Sequence, residues 1–131
     1  MTPKNSIIAG FAVLALAFMI AGLWLAGGPS TGRAEKRDAQ RMADLVELQH
    51  LTFCLAETAE GELPETIDIT ETCQRDIALN DPFTDTAYVY QKVSDRAYKW
   101  CADFELPERV HDYGSDGLDP ETGCVQFTYR P

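Results

Sequence analysis

Four cysteines are the residues of this chain best suited to do chemistry: Cys54, Cys73, Cys101 and Cys124. In alternating strands, Cys101 shares a face with Lys99 and Asp103, and Cys124 shares one with Gln126 and Thr128. Free cysteines are usually buried, so two on polar faces point to disulfide bonding. Cys54 falls on the polar side of a helix, and Cys73 sits in the loop that follows it. Four cysteines allow three connectivities, and Cys54–Cys73 with Cys101–Cys124 is the pairing favoured here. Each bridge would stabilise the fold by ~3 kcal/mol through loop closure. The rival chemistry is metal binding. His50 and Cys54 stand at i, i+4 on one helix face, which is a ligand spacing, and Cys73 could add a third ligand. There is no C-x-x-C and no second histidine tied to that pattern, so disulfides are preferred over metal. Without C-x-x-C-H there is no signal for covalent haem.

A second candidate is the loop Asp112-Tyr113-Gly114-Ser115-Asp116-Gly117-Leu118-Asp119. Asp112, Asp116 and Asp119 place three carboxylates on flexible turns, the donor type that calcium prefers. The spacing is not that of an EF-hand, because Gly114 and Gly123 occupy positions where acidic ligands are needed. The plain alternative is a solvated acidic turn. Calcium is the only cofactor the sequence suggests. His111-Asp112 followed by Ser115 is no catalytic triad, since those partners must converge from separate elements. Glu105 and Glu108 are paired carboxylates of a kind common on acidic surfaces, with nothing to place them in a cleft. The chain is therefore read as non-catalytic, with no catalytic residue and no small-molecule substrate.

The elements that carry these residues begin with an anchor. Residues 7–27 read IIAGFAVLALAFMIAGLWLAG, 21 apolar or small residues without a charge. A spanning helix needs ~20 residues at 1.5 Å rise each. A cleaved signal peptide has a shorter apolar region, ~7–15 residues, ending in an A-x-A-like site. Gly27-Gly28-Pro29 makes a poor cleavage site, and no cysteine follows to carry a lipid, so a retained transmembrane helix is expected. Ala17/Ala21 and Gly22/Ala26 recur at four-residue spacing, which lets a neighbouring helix approach; such residues are also simply common in spanning helices. Trp24 suits the interfacial belt. The expected organisation is a tail and transmembrane helix over 1–28, a linker over 29–32 and a soluble domain over 33–131.

From residue 33 to about 59 the chain has no Gly or Pro, and helix formers dominate. At 100° per residue, Leu45, Leu48, Leu51 and Leu55 share one side, with Met42, Val46 and Phe53 continuing that arc. Glu47, His50, Cys54 and Glu57 lie opposite. Gly61 ends the helix and Pro64 confirms the stop. Residues 60–86 read as loop. Residues 86–93 and 97–105 then form a hairpin, with Tyr98, Trp100, Ala102 and Phe104 alternating against Lys99, Cys101 and Asp103. Residues 107–123 are a polar loop, and 124–129 a last short strand. The fold class is α+β: an amphipathic helix packed on a small three-stranded antiparallel sheet with long loops. Tyr88, Tyr90, Tyr98, Trp100 and Phe104 are expected to form the core between sheet and helix; the alternative is an exposed aromatic patch that docks a partner.

Charge narrows the partners. The formal net charge is -10, which argues against nucleic acid bound through its phosphates. After Met42 there are 19 acidic and 6 basic residues, so the distal part carries -13. Counting only Lys and Arg beside the anchor, Lys4 stands against Arg33, Lys36, Arg37 and Arg41, which would put the domain in the cytoplasm. The cysteines argue for an oxidising compartment, and that argument is taken as the more specific one. The expectation is a bacterial inner-membrane protein with a single span and a periplasmic C-terminal domain.

Several segments resemble the type IV pilin-like family, above all the periplasmic part of major pseudopilins of type II secretion. Arg37-Asp38-Ala39-Gln40-Arg41-Met42-Ala43-Asp44-Leu45 is similar to the start of the soluble half of their long helix. Gly61-Glu62-Leu63-Pro64 resembles the family's Gly-x-[Tyr/Leu]-Pro, and Asp81-Pro82-Phe83-Thr84-Asp85-Thr86-Ala87-Tyr88-Val89-Tyr90 its Asp-Pro-Trp-Gly-x-Pro-Tyr-x-Tyr. The likeness covers residue 33 to about 105. The pilin signature Gly-Phe-Thr-Leu-x-Glu is absent: Gly10-Phe11 is followed by Ala12-Val13-Leu14-Ala15. Tyr98-Lys99-Trp100-Cys101-Ala102-Asp103-Phe104 is also similar to a Tyr-x-x-Cys-Ala-x-Phe segment of single-pass bacterial proteins. The resemblance implies an assembly component, and pseudopilins also carry a calcium loop late in the chain. The expected function is an accessory or assembly subunit of a larger bacterial membrane complex (pilus or secretion, respiratory or photosynthetic). Its partners would be the bilayer and other membrane subunits. The alternative is a membrane-anchored periplasmic calcium-binding module.

Overall fold

The computed structural model describes residues 3–73, 76–110 and 117–131. The chain divides into two compact units, residues 1–33 and 34–131. The first holds helix α1, Pro3–Leu25. Twenty-three residues at 1.5 Å rise give ~35 Å, against ~30 Å of hydrocarbon in a bilayer. Its large apolar side chains are exposed all round, including Phe11, Phe18, Leu23 and Trp24. It is long and apolar enough to cross a membrane. Ala17, Ala21, Gly22 and Ala26 lie at its exposed surface and in the turn behind it.

The break falls earlier than the expected 29–32 linker. Gly27 turns at φ +80, and helix α2 already begins at Gly28 and runs to Thr58. Residues 29–32 are helical because Pro29 stands in the first turn, where its missing N–H is not needed and its fixed φ suits the helix. Thr31 Oγ1 donates to Gly27 O and Arg33 Nε to Pro29 O, tying that turn to its own backbone. A Cβ on Gly27 would meet the Thr31 side chain at 2.9 Å, so both the φ and the space require glycine there.

In the second unit, α2 buries Met42, Leu45, Leu48, Leu51 and Leu55. The apolar arc is narrower than expected. Val46 is half-buried, and Phe53 is exposed at its edge, where its ring meets Tyr129 at 5.3 Å. The helix stops where Glu60 and Gly61 turn to positive φ and Gly61 N–H donates to Ala56 O at 2.8 Å.

The sheet has four strands rather than three: β1 Val89–Lys92, β2 Ala97–Cys101, β3 Leu118–Asp119 and β4 Cys124–Thr128. Their order is β1-β2-β4-β3, and every pairing is antiparallel. The added β3 comes from the segment expected to be loop. Gly123, at φ +67, donates its N–H to Asp119 O and folds Leu118 back against Val125. Two residues are too few to show an alternation. One face of the sheet, Tyr98, Trp100, Val125 and Phe127, shares a single buried cluster with the leucines of α2. Trp100 Nε1 donates to Thr52 Oγ1 at 3.1 Å, and that hydroxyl donates to Leu48 O at 2.8 Å, so the polar atoms in this core are paired. Tyr88 joins the cluster, with Tyr90 and Phe104 packed against it.

Candidate functional site

The four cysteines form two disulfides, Cys54–Cys73 and Cys101–Cys124. Cys101 and Cys124 are direct cross-strand partners of β2 and β4, while Cys54 on α2 holds down the buried Cys73 of the following loop. The bonded Cys54 and Cys73 leave the His50 spacing without its proposed thiolate ligands. Among the described residues no cluster of three metal-ligating side chains occurs. Of the calcium candidates, Asp112 and Asp116 lie outside the described residues, as do His111 and Ser115. Asp119 serves its own turn: Oδ1 accepts from Glu121 N–H at 3.0 Å and Oδ2 from Thr122 Oγ1 at 2.8 Å. Glu105 and Glu108 do not form a carboxylate pair across a cleft; Glu105 belongs to the group described next.

The strongest polar constellation among the described residues is marked by no motif in the sequence. It is centred on Arg41, whose side chain is 1% exposed. Arg41 Nε donates to Asp81 Oδ2 at 2.7 Å, and its Nη1 donates to Asp38 Oδ1 at 2.7 Å and Glu105 Oε1 at 3.1 Å. Arg37 grips the same Glu105 with Nε at 2.7 Å and Nη2 at 2.6 Å. The carboxylates are themselves held. Asp38 accepts the backbone N–H of Glu105 and of Leu106 at 2.9 and 2.6 Å. Asp81 accepts Phe83 N–H at 2.8 Å and Thr84 Oγ1 at 3.0 Å. Phe83 lies under the guanidinium, 5.6 Å from ring centre to carbon. Beside this group, Tyr88 donates its hydroxyl to Asp44 at 2.7 Å.

The electrostatics follow from the contacts. Burial alone would lower the Arg41 pKa; hydrogen bonds to Asp81, Asp38 and Glu105 outweigh it and hold the guanidinium above its ordinary value. The Arg37 fork, then Arg41, pulls Glu105 down to about 2. Burial works to raise Asp81, but Phe83 N–H and Arg41 prevail and hold it below the usual carboxylate range. Burial, then Asp44, pushes the Tyr88 hydroxyl up. The charges are thus fixed and mutually satisfied. A buried guanidinium that donates to three anchored carboxylates is arranged as a brace. It joins α2 to the loop at 81–84 and to the segment just after β2.

The signal for it lay in Arg37, Asp38 and Arg41, spaced on one helix face, and in the Asp81-Pro82-Phe83-Thr84 turn. Composition alone reads such charges as surface. Comparison of the chain with protein-family models, curated proteins and solved structures finds no match.

Proposed function

We propose that this chain is a non-catalytic, single-pass membrane protein that serves as an accessory or assembly subunit of a larger bacterial membrane complex. One observation carries the reading: among the described residues, a single apolar helix with its whole surface exposed leads into a disulfide-bonded acidic domain whose buried charge cluster serves as a brace. A helix exposed all round is suited to lipid and to neighbouring helices. Two disulfides favour an oxidising compartment, hence the inner membrane with residues 34–131 on the periplasmic side. The order of long helix, Asp-Pro-Phe-Thr loop and antiparallel hairpin supports a pilin-like domain. The absent pilin glutamate favours bracing a respiratory or photosynthetic complex over assembly into a fibre.

The reading is tested by native electrophoresis of gently solubilised membranes. An accessory subunit migrates in a particle far larger than the chain; migration as the free chain contradicts it. The cation-binding module is the competing reading. Thermal stabilisation by calcium that is reversed by chelation would favour it.

A further inference from the structure

The chemistry of the partner can be named at one place on the domain, on the premise of the accessory-subunit reading. Where β1 starts and β2 ends there is a hollow of about 110 Å3, whose lining includes Ala87, Val89, Cys101, Ala102 and Asp103, together with the Asp81 that Arg41 holds. Val89 stands opposite Cys101 in register and is 49% exposed, so an apolar wall faces solvent. The walls are preformed. The Cys101–Cys124 disulfide crosses the strands there. Ala102 N–H donates to Gly123 O at 3.0 Å, and Gly123 packs so close that a Cβ would lie 2.3 Å from Ala102 O. At this hollow Asp103 is exposed, and its carboxylate has no hydrogen bond or ion pair among the described residues. Asp38, Asp81, Glu105 and Asp119, in contrast, each hold donors.

A water occupies ~30 Å3, so the hollow has room for three or four waters, or for one extended aliphatic stem. Apolar walls beside a single unpaired carboxylate suit an amphipathic side chain that lays its stem on carbon and presents a cation. We propose that this hollow receives a lysine side chain of a basic partner protein, with Asp103 as its counter-ion. The charge of -13 after Met42 steers such a partner toward the domain and opposes docking of a second copy carrying the same charge.

The test uses the tagged full-length chain in its native membranes. A carbodiimide joins carboxylate directly to amine; the membranes are then solubilised gently and the links mapped by mass spectrometry. The expected result is Asp103 joined to a lysine of a co-purifying chain. Asp103→Asn and Val89→Lys should each lower recovery of that chain about tenfold, while Asp95→Asn, at the opposite end of the hairpin, leaves it unchanged. Among the described residues the Asp103 carboxylate holds no hydrogen bond or ion pair, so Asp103→Asn should keep the wild-type melting temperature. Wild-type recovery from both variants, or links only at other carboxylates, overturns the assignment and leaves the accessory-subunit reading standing. Recovery of no co-purifying chain overturns both.

Discussion

Arg41 and Asp81 are 40 positions apart in the chain, yet their side chains meet at 2.7 Å with both buried. Asp38 completes the contact from one turn before Arg41. A buried ion pair is not in itself a large source of stability, because desolvation offsets most of the attraction. Its removal on one side is another matter. Arg41→Ala leaves Asp38 and Asp81 as buried charges without their cation and should cost about 3–5 kcal/mol in denaturant unfolding. Arg41→Lys should rescue little, since a point charge cannot serve Asp81 through one nitrogen and Asp38 through another. A loss under about 1 kcal/mol for Arg41→Ala, the range of a surface pair, would show that the cluster does not brace the domain.

Acid should loosen the same brace. Glu105 is held at about 2 against an ordinary value of 4.5, and Asp81 is also depressed. A depressed carboxylate contributes stability that is present above its unfolded pKa and lost as pH falls through the folded one. Melting temperature should hold steady from pH 7 down to about 4.5, then fall toward about 2. Glu105→Gln should flatten part of that fall. A profile in Glu105→Gln that superimposes on wild type would remove Glu105 from the account.

Thr52 is the pivot of the polar pair inside the core. Its hydroxyl accepts from Trp100 Nε1 and donates to Leu48 O. Thr52→Val keeps the shape but leaves the indole N–H buried without an acceptor, at a cost of about 1–3 kcal/mol by chemical denaturation. Thr52→Ser retains the acceptor and should lose less. Equal losses in the two variants would mean that packing, not the hydrogen bond, decides.

The disulfides bear on compartment. Alkylation of denatured, unreduced protein from native membranes should label none of Cys54, Cys73, Cys101 and Cys124, and reduction should expose all four. Removing Cys54–Cys73 by paired serine substitution should cost about 3 kcal/mol. Four reactive thiols in the unreduced sample would contradict the periplasmic placement.

Much of this fold was legible in the sequence, and the reasons differ by element. Leu45, Leu48, Leu51 and Leu55 announce their helix because helical periodicity is repeated over about three turns. Phe53 lies at the margin of that arc, where periodicity cannot separate buried from exposed. The alternation of Tyr98 and Trp100, and of Val125 and Phe127, sets the sheet face and puts Cys101 and Cys124 on the other one, where the register pairs them. Leu118 and Asp119 form a strand too short to carry a pattern. The start of α2 was hidden because Pro29 reads as a breaker in sequence yet is an acceptable first-turn residue. The Arg41 cluster was the least legible part. Asp81 and Glu105 reach it from separate loops, and only tertiary structure decides that these charges are inside.

The most direct test of the central claim is purification of the tagged full-length chain from native membranes in gentle detergent, with quantitative mass spectrometry of what accompanies it. The account predicts one defined set of membrane subunits in fixed ratio to the chain. Recovery of the chain alone, or only with copies of itself, would contradict it.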